Sequence, residues 1–371
     1  MQAGRGTAKP PIGIALEGDL GVRIDALLAI AMLNGFASKG EARKIAICVP
    51  RASLRAAQLA DVATAFYSSR PLPGPGGAVG GNPDSLVGMP DGPSFATDNP
   101  PLAAILSQKT AEGTPQYQSV VADTLDTADD AVLMRNMLLA QNDGNAAVVL
   151  AGPASGLARL LGLYGAKPQI ATKAARLVVA VGAFPSGQPD AALASDVAAA
   201  RKVFAEWPTP IVAAGAELGA ALPYPGASIE SDFGWSKAHP LADAYRAFKP
   251  MPYDAPASAL AALLYAVHPD DGFFTLSDPG TISVLDDGRT QFAPSPDGTH
   301  RYLIANPAQA ERVIKLYRSL VSAPPAPRPS RGGRGNAAAQ QQQQQQRQQQ
   351  QQQSQPPAGA PKPGENKPPT P

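Results

Sequence analysis

Glu17, Asp19 and Asp25 lie close together in the stretch Pro11 to Leu33, PIGIALEGDLGVRIDALLAIAML. Carboxylates at this spacing can serve as a general base or hold a hard cation through oxygen. The stretch begins as an apolar strand and ends as an Ala/Leu-rich helix, so all three acids converge at the carboxyl end of one strand. In an α/β sheet the strand-to-helix loops open there into the crevice that binds ligands. The residues also admit a structural reading: Asp25 stands just before the apolar helix, where an acid accepts the orphan amide hydrogens of the first turn. Arg23 enters the same loop, either to fill the space and neutralise the acids or to point into solvent.

The elements that must position these acids alternate along the chain. Lys44 to Val49 (KIAICV) reads as a buried strand, and Ser53 to Tyr67 has helical apolar spacing. Residues 70–101 are rich in Pro and Gly and read as a long surface loop. Thr127 to Leu139 is predicted as a helix, Ala146 to Leu150 as a strand, Ser155 to Leu163 as a helix and Arg176 to Val181 as a strand. Asp196 to Glu206 follows as a helix and Pro210 to Ala214 as a strand. Repeated βα units predict an α/β, Rossmann-like sheet, mostly parallel, with helices on both faces.

Composition bounds the rest. A chain of 371 residues with 44% hydrophobic content can bury a large core. The 31 basic and 30 acidic residues are unevenly placed: the segment after Ala323 holds six of the former and one of the latter. The body is therefore slightly acidic, which predicts no nucleic-acid groove. Cys48 is the only cysteine, which excludes an intrachain disulfide and thiolate zinc sites. The longest apolar runs, such as Ala259 to Val267, are too short to cross a bilayer, so no membrane partner is expected. The leading MQAGRGTAKPP lacks an apolar core; as written it predicts a cytoplasmic protein, and an exported one if a signal peptide precedes it.

His239, His268 and His300 fall in apparent loops and read as surface or turn residues, Trp207 reads as core, and Trp235 sits in a polar loop where it could cover a pocket. Glu217 is an acid in an otherwise apolar, strand-like run. Three regions are expected: a flexible N-terminus over 1–10, one folded domain over 11–322, and a Pro/Gln-rich tail over 323–371. The tail's polyglutamine tracts, Gln340 to Gln346 and Gln348 to Gln353, cannot bury enough apolar area to fold.

Pro11 to Leu33 is followed in order by GPASGLARLL (Gly152 to Leu161), RLVVAVGAF (Arg176 to Phe184), EWPTPIVAAGAELG (Glu206 to Gly219) and LLYAVHPDDGFFTLSDPGTISV (Leu263 to Val284). Together, over 11–322, these segments resemble the inosine-uridine-preferring nucleoside hydrolases, in the long-loop bacterial variant that carries Trp-Pro-Thr-Pro. The resemblance implies a nucleoside hydrolase fold, a small nucleoside-like ligand, a homo-oligomer, and hydrolysis of the N-glycosidic bond of ribonucleosides with one calcium ion. Such a reaction builds oxocarbenium character on the sugar, so it needs carboxylates around the ring and a base to activate water.

Carried over by position, Glu17 falls on the first acid of the family's opening motif and Asp19 on the acid that is both base and metal ligand. Asp25 falls on a ribose-binding Asp, and Ala26 on a metal-binding Asp that alanine cannot replace. In GPASG, Ser155 would offer the metal a backbone carbonyl, and Gly156 stands where the family has asparagine. Asp190, followed by Ala191 and Ala192, aligns with a ribose-holding Glu-x-Asn. Ala259 takes the place of the Asp that closes the calcium shell, with Asp254 five residues upstream. The resemblance thus assigns Asp19 as catalytic, Glu17, Asp25 and Asp190 as substrate-binding, and Asp19 with Ser155 as the remnant of a weak or absent calcium site. Hydrolysis is expected to be impaired; the alternative is a non-catalytic ligand-binding or scaffold pseudoenzyme of the same fold.

Overall fold

The structure, a computed structural model, describes residues 10–67, 87–92, 100–325 and 370. Two compact units divide the chain, Met1–Ala326 and Pro327–Pro371, and the fold described is that of the first. The expected flexible N-terminus, most of the predicted 70–101 loop and nearly all of the tail lie outside the described residues.

The amino-terminal half contains β1 (Ile12–Gly18), α1 (Ile24–Ser38), β2 (Ala42–Cys48), α2 (Leu54–Phe66), β3 (Val87–Gly88), α3 (Pro100–Ser107), α4 (Asp130–Leu139), β4 (Ala146–Ala151), α5 (Ser155–Gly162), α6 (Ala166–Lys173) and β5 (Ala174–Val179). Then follow α7 (Ala191–Ala194), α8 (Val197–Glu206), β6 (Ile211–Ala213), α9 (Ala216–Ala221), α10 (Ala227–Ser231), α11 (Pro240–Phe248), α12 (Ser258–Val267), β7 (Phe274–Leu276), β8 (Gly280–Val284), β9 (Thr290–Pro294), β10 (His300–Ala305) and α13 (Ala310–Val321). The strands form one sheet in the order β3-β2-β1-β4-β5-β6-β10-β8-β9, with β7 paired to β10. Pairing is parallel from β3 to β10 and antiparallel among β7, β8, β9 and β10. The sheet is therefore mixed, mostly parallel and doubly wound.

Period-two alternation splits the central strands between two cores. Ile14, Leu16, Val149 and Val178 face a cluster that includes α1, α12 and α13, whereas Ala15, Val148, Leu150 and Val179 face one built on α4, α5, α6 and α8. Burial on both faces explains why β4 and β5 read as unbroken apolar runs. Helix α1 is itself buried on all sides from Ala26 to Leu33 and packs on α12 and α13. It is held so tightly that a Cβ on Gly35 would lie 2.4 Å from the Leu320 carbonyl oxygen. Gly35→Ala is therefore expected to destabilise the fold by about 1–3 kcal/mol, because one backbone must move away from another. Urea denaturation at fixed pH measures this, and an unchanged midpoint would show that the α1–α13 contact yields freely.

β2 and β4 flank β1, and the chain departs from β1 in opposite directions across the sheet. That reversal opens a crevice beyond the carboxyl ends of these strands, the usual place for a ligand in an open α/β sheet.

Candidate active site

Asp19 is fixed at the end of β1 by its own backbone: its amide donates to the Ala151 carbonyl at the end of β4 (3.0 Å), and its carbonyl accepts the amides of Val22 and Arg23. This turn delivers Arg23 to the start of α1 and Asp25 to its first turn. The Arg23 guanidinium grips Asp25 with two bonds, Nε to Oδ1 at 3.1 Å and Nη2 to Oδ2 at 2.8 Å, and Nη1 donates to the Ala180 carbonyl just after β5. Asp25 Oδ2 also accepts the Ala259 amide in the first turn of α12 (2.9 Å). One partly buried ion pair thus ties together α1, the end of β5 and α12. Asp25 does not cap its own helix; the capping alternative is not what this carboxylate does.

Arg51 follows β2 and donates Nε to Asp19 Oδ2 at 3.1 Å. Asp190 caps α7 through the amides of Ala192 and Leu193, and its second oxygen accepts the Gly182 amide at 2.8 Å. Asp19, Arg23, Asp25, Arg51 and Asp190 all line one cleft of about 490 Å³, whose walls include Phe248 and Ser258. Burial pushes the Asp19 carboxyl above the ordinary aspartate range, against the pull of Arg51 and Arg23. Burial also works against the charge of Arg23, but Asp25 first, then Asp190 and Asp19, more than compensate and keep the guanidinium charged.

Glu17 is placed elsewhere. It is fully buried, faces α4 and α5 instead of the cleft, and accepts the Gly156 amide at 3.2 Å through Oε1, while its Oε2 has no hydrogen-bond partner among the described residues. Its neighbour is Asp130 at the start of α4, which accepts from Arg159 Nη2 at 2.5 Å and from the Ala131 amide at 2.8 Å. A Cβ on Gly156 would lie 2.5 Å from Glu17 Oε1 and 2.7 Å from Asp130 Oδ2, so these two carboxyl groups fill the space a side chain at 156 would need. Burial, reinforced by the charge of Asp130, pushes Glu17 well above the usual glutamate range.

Ser155 opens α5 and binds Asp196 through its hydroxyl (2.6 Å), which joins α5 to the cap of α8; it does not line the cleft. Asp254 accepts the Gly226 amide at 2.8 Å and likewise does not reach the cleft walls. The structure therefore brings together Asp19, Asp25 and Asp190 from the predicted set, and separates Glu17 and Ser155 from them.

The calcium expected from the resemblance does not fit these residues. Asp25 has both oxygens on a guanidinium, Asp19 gives one to Arg51, and Ala26 and Ala259 offer no side-chain ligand. Among the described residues no group of three or more His, Cys, Asp or Glu side chains could hold a metal ion.

Two of the histidines correct their sequence reading. His239 and His300 are buried, not on the surface, with 2% and 6% exposure. His239 caps α11, bonds the Tyr67 hydroxyl at 3.0 Å and packs among Phe66, Phe233 and Trp235; burial lowers its pKa to about 3, so it stays neutral. His268 is partly exposed between Glu41 and Asp271. Trp207 is core, and Trp235 donates to the Ser322 carbonyl, away from the cleft. Glu217 lies in helix α9, not a strand, and accepts the Phe184 amide at 3.1 Å. Sequence reading missed Arg51 and the Asp130–Arg159 pair. Arg51 carries a usable signal, a cation two residues beyond a predicted strand; the pair joins residues on separate helices and carries none.

No family model and no curated protein matches the sequence. Solved structures do match its fold. A plant nucleoside hydrolase superposes with a TM-score of 0.60 at 19% identity, covering 85% of this chain and 100% of its own. A purine-preferring ribonucleoside hydrolase from Gardnerella vaginalis gives 0.60 at 17% identity, covering 84% and 98%. The type III effector protein XopQ, solved in complex with adenosine diphosphate ribose, gives 0.57 at 14% identity, covering 85% and 95%. The chain has the α/β fold of the nucleoside hydrolases.

Proposed function

We propose that the cleft binds nucleosides or related N-ribosides, with Asp19 as the general base of a slow hydrolysis that uses no metal. The observation that carries this reading is the convergence of Asp19, Asp25 and Asp190 on one cleft at the strand-order reversal. Each supplies oxygen acceptors where a sugar's hydroxyls can donate, and burial makes Asp19 a stronger base than a solvent-exposed aspartate. Structures of like fold, named as nucleoside hydrolases or solved with adenosine diphosphate ribose, handle ribosyl compounds, which supports the ligand class. Slowness follows from the donor set. A guanidinium donates hydrogen bonds but does not bind a water oxygen and lower its pKa as a metal does.

Thermal unfolding with adenosine, inosine, uridine and the corresponding free bases tests the binding step. Nucleosides are expected to raise Tm at millimolar concentration, because a ligand that binds only the folded state stabilises it, and free bases are not, because they lack the hydroxyls that the three carboxylates would accept from. Failure of every nucleoside to raise Tm would overturn the reading.

A further inference from the structure

We infer that the Arg23 guanidinium is the resident cation of this cleft, supplying from the chain itself the positive charge that its carboxylates would otherwise draw from a divalent metal. Three observations converge on it. Arg23 is bound as a metal would be, by both oxygens of one buried carboxylate and by a backbone carbonyl from a second element. The positions that would supply further carboxylates are Ala26 and Ala259, and the Ala259 amide hydrogen points at Asp25 Oδ2, where it would repel a second cation. Finally, the guanidinium faces the cleft beside Asp19 and Asp190, whose charges act on it at longer range.

A guanidinium carries five N–H donors. Asp25 takes two and Ala180 one, which among the described residues leaves two N–H groups, one on each terminal nitrogen. An anionic ligand would meet those donors but also the carboxylates of Asp19 and Asp190. A vicinal diol suits the mixture better, since each hydroxyl accepts from Arg23 and donates to a carboxylate. This assignment deepens the riboside reading by naming what the sugar hydroxyls meet, but its claim about metals stands apart from any riboside.

The test is calcium chloride titrated calorimetrically into the full chain after dialysis against EDTA, with Tm measured with and without calcium. The unmodified protein is expected to show no binding tighter than about 1 mM, the range of weak oxygen sites, and no Tm shift. Arg23→Ala leaves Asp25 buried without its cation, so its Tm is expected to fall and then to recover by about 3 °C or more in calcium or methylguanidinium. Arg23→Gln, which keeps one bond to Asp25, is read in the same way if the alanine variant does not fold. Micromolar calcium affinity in the unmodified protein overturns the inference, as does a variant that responds to neither cation. None of these readouts contains a nucleoside, so a negative result here is separable from a failure of riboside binding.

Discussion

Asp19→Asn is expected to lower riboside hydrolysis by roughly 10²- to 10⁴-fold, the usual cost of losing a general base. Among the described residues that line the cleft, no other acid can take its place. Asp25 is committed to Arg23 and the Ala259 amide, and Asp190 accepts three amides in holding α7 and Gly182. The pH profile provides the sign. Asp19 acts only when ionised, and burial raises its pKa, so kcat/KM of the unmodified protein should climb with pH along a limb displaced upward from the ordinary aspartate range. The Asp19→Asn variant should lack that limb. Its stability should hold or rise slightly at pH 8, because an asparagine oxygen still accepts from Arg51 and a buried charge has been removed. Turnover by Asp19→Asn equal to that of the unmodified protein would show that the base lies elsewhere.

The second large effect concerns the scaffold beneath the cleft. Arg159→Met strips the counter-ion from Asp130, whose side chain is 1% exposed, and leaves it beside Glu17. Arg159 is itself half-exposed, so the loss is that of a buried carboxylate left without its donor, about 1–3 kcal/mol, and several degrees in Tm for a domain of this size. Burial already raises the Asp130 pKa despite Arg159. An acid raised in the folded state is fully compatible with folding below its unfolded pKa and costs stability as pH rises through the folded pKa. The deficit should therefore be largest near pH 8 and shrink toward pH 5. Adding Asp130→Asn to the variant should restore much of the loss at pH 8. A pH-independent deficit would mean that lost packing by Arg159, not the stranded charge, is responsible.

Much of this architecture is legible in the sequence because parallel strands buried on both faces must be continuously apolar. β4 is expected over Ala146 to Leu150 and found over Ala146–Ala151, and the expected β1-to-α1 unit is present, with Asp19 just after the strand and Asp25 in the first turn of the helix. α1 illustrates the opposite limit. It is buried on all sides, so its residues show no amphipathic period, and only its run length and Ala/Leu content mark it as helix. The antiparallel strands β8, β9 and β10 go unread in spite of the Asp-Asp-Gly and Pro-Asp-Gly turns between them, since they are half exposed and short. In the site, position identifies the acids that line the cleft but not their partners. Whether Arg23 turns to solvent or onto Asp25 depends on the Ala180 carbonyl, a group contributed from 157 residues away. Glu17 differs from its expected place because the period of two in β1 sends it to the face opposite Leu16, where Gly156 leaves room for it.

The most direct test is calorimetric titration of inosine into the full chain, once in EDTA and once in calcium. Binding that is equal in the two buffers, and lost or strongly weakened in Arg23→Ala, is expected if the riboside cleft works on its own guanidinium. Binding that appears only in calcium, or no binding in either buffer, would contradict it.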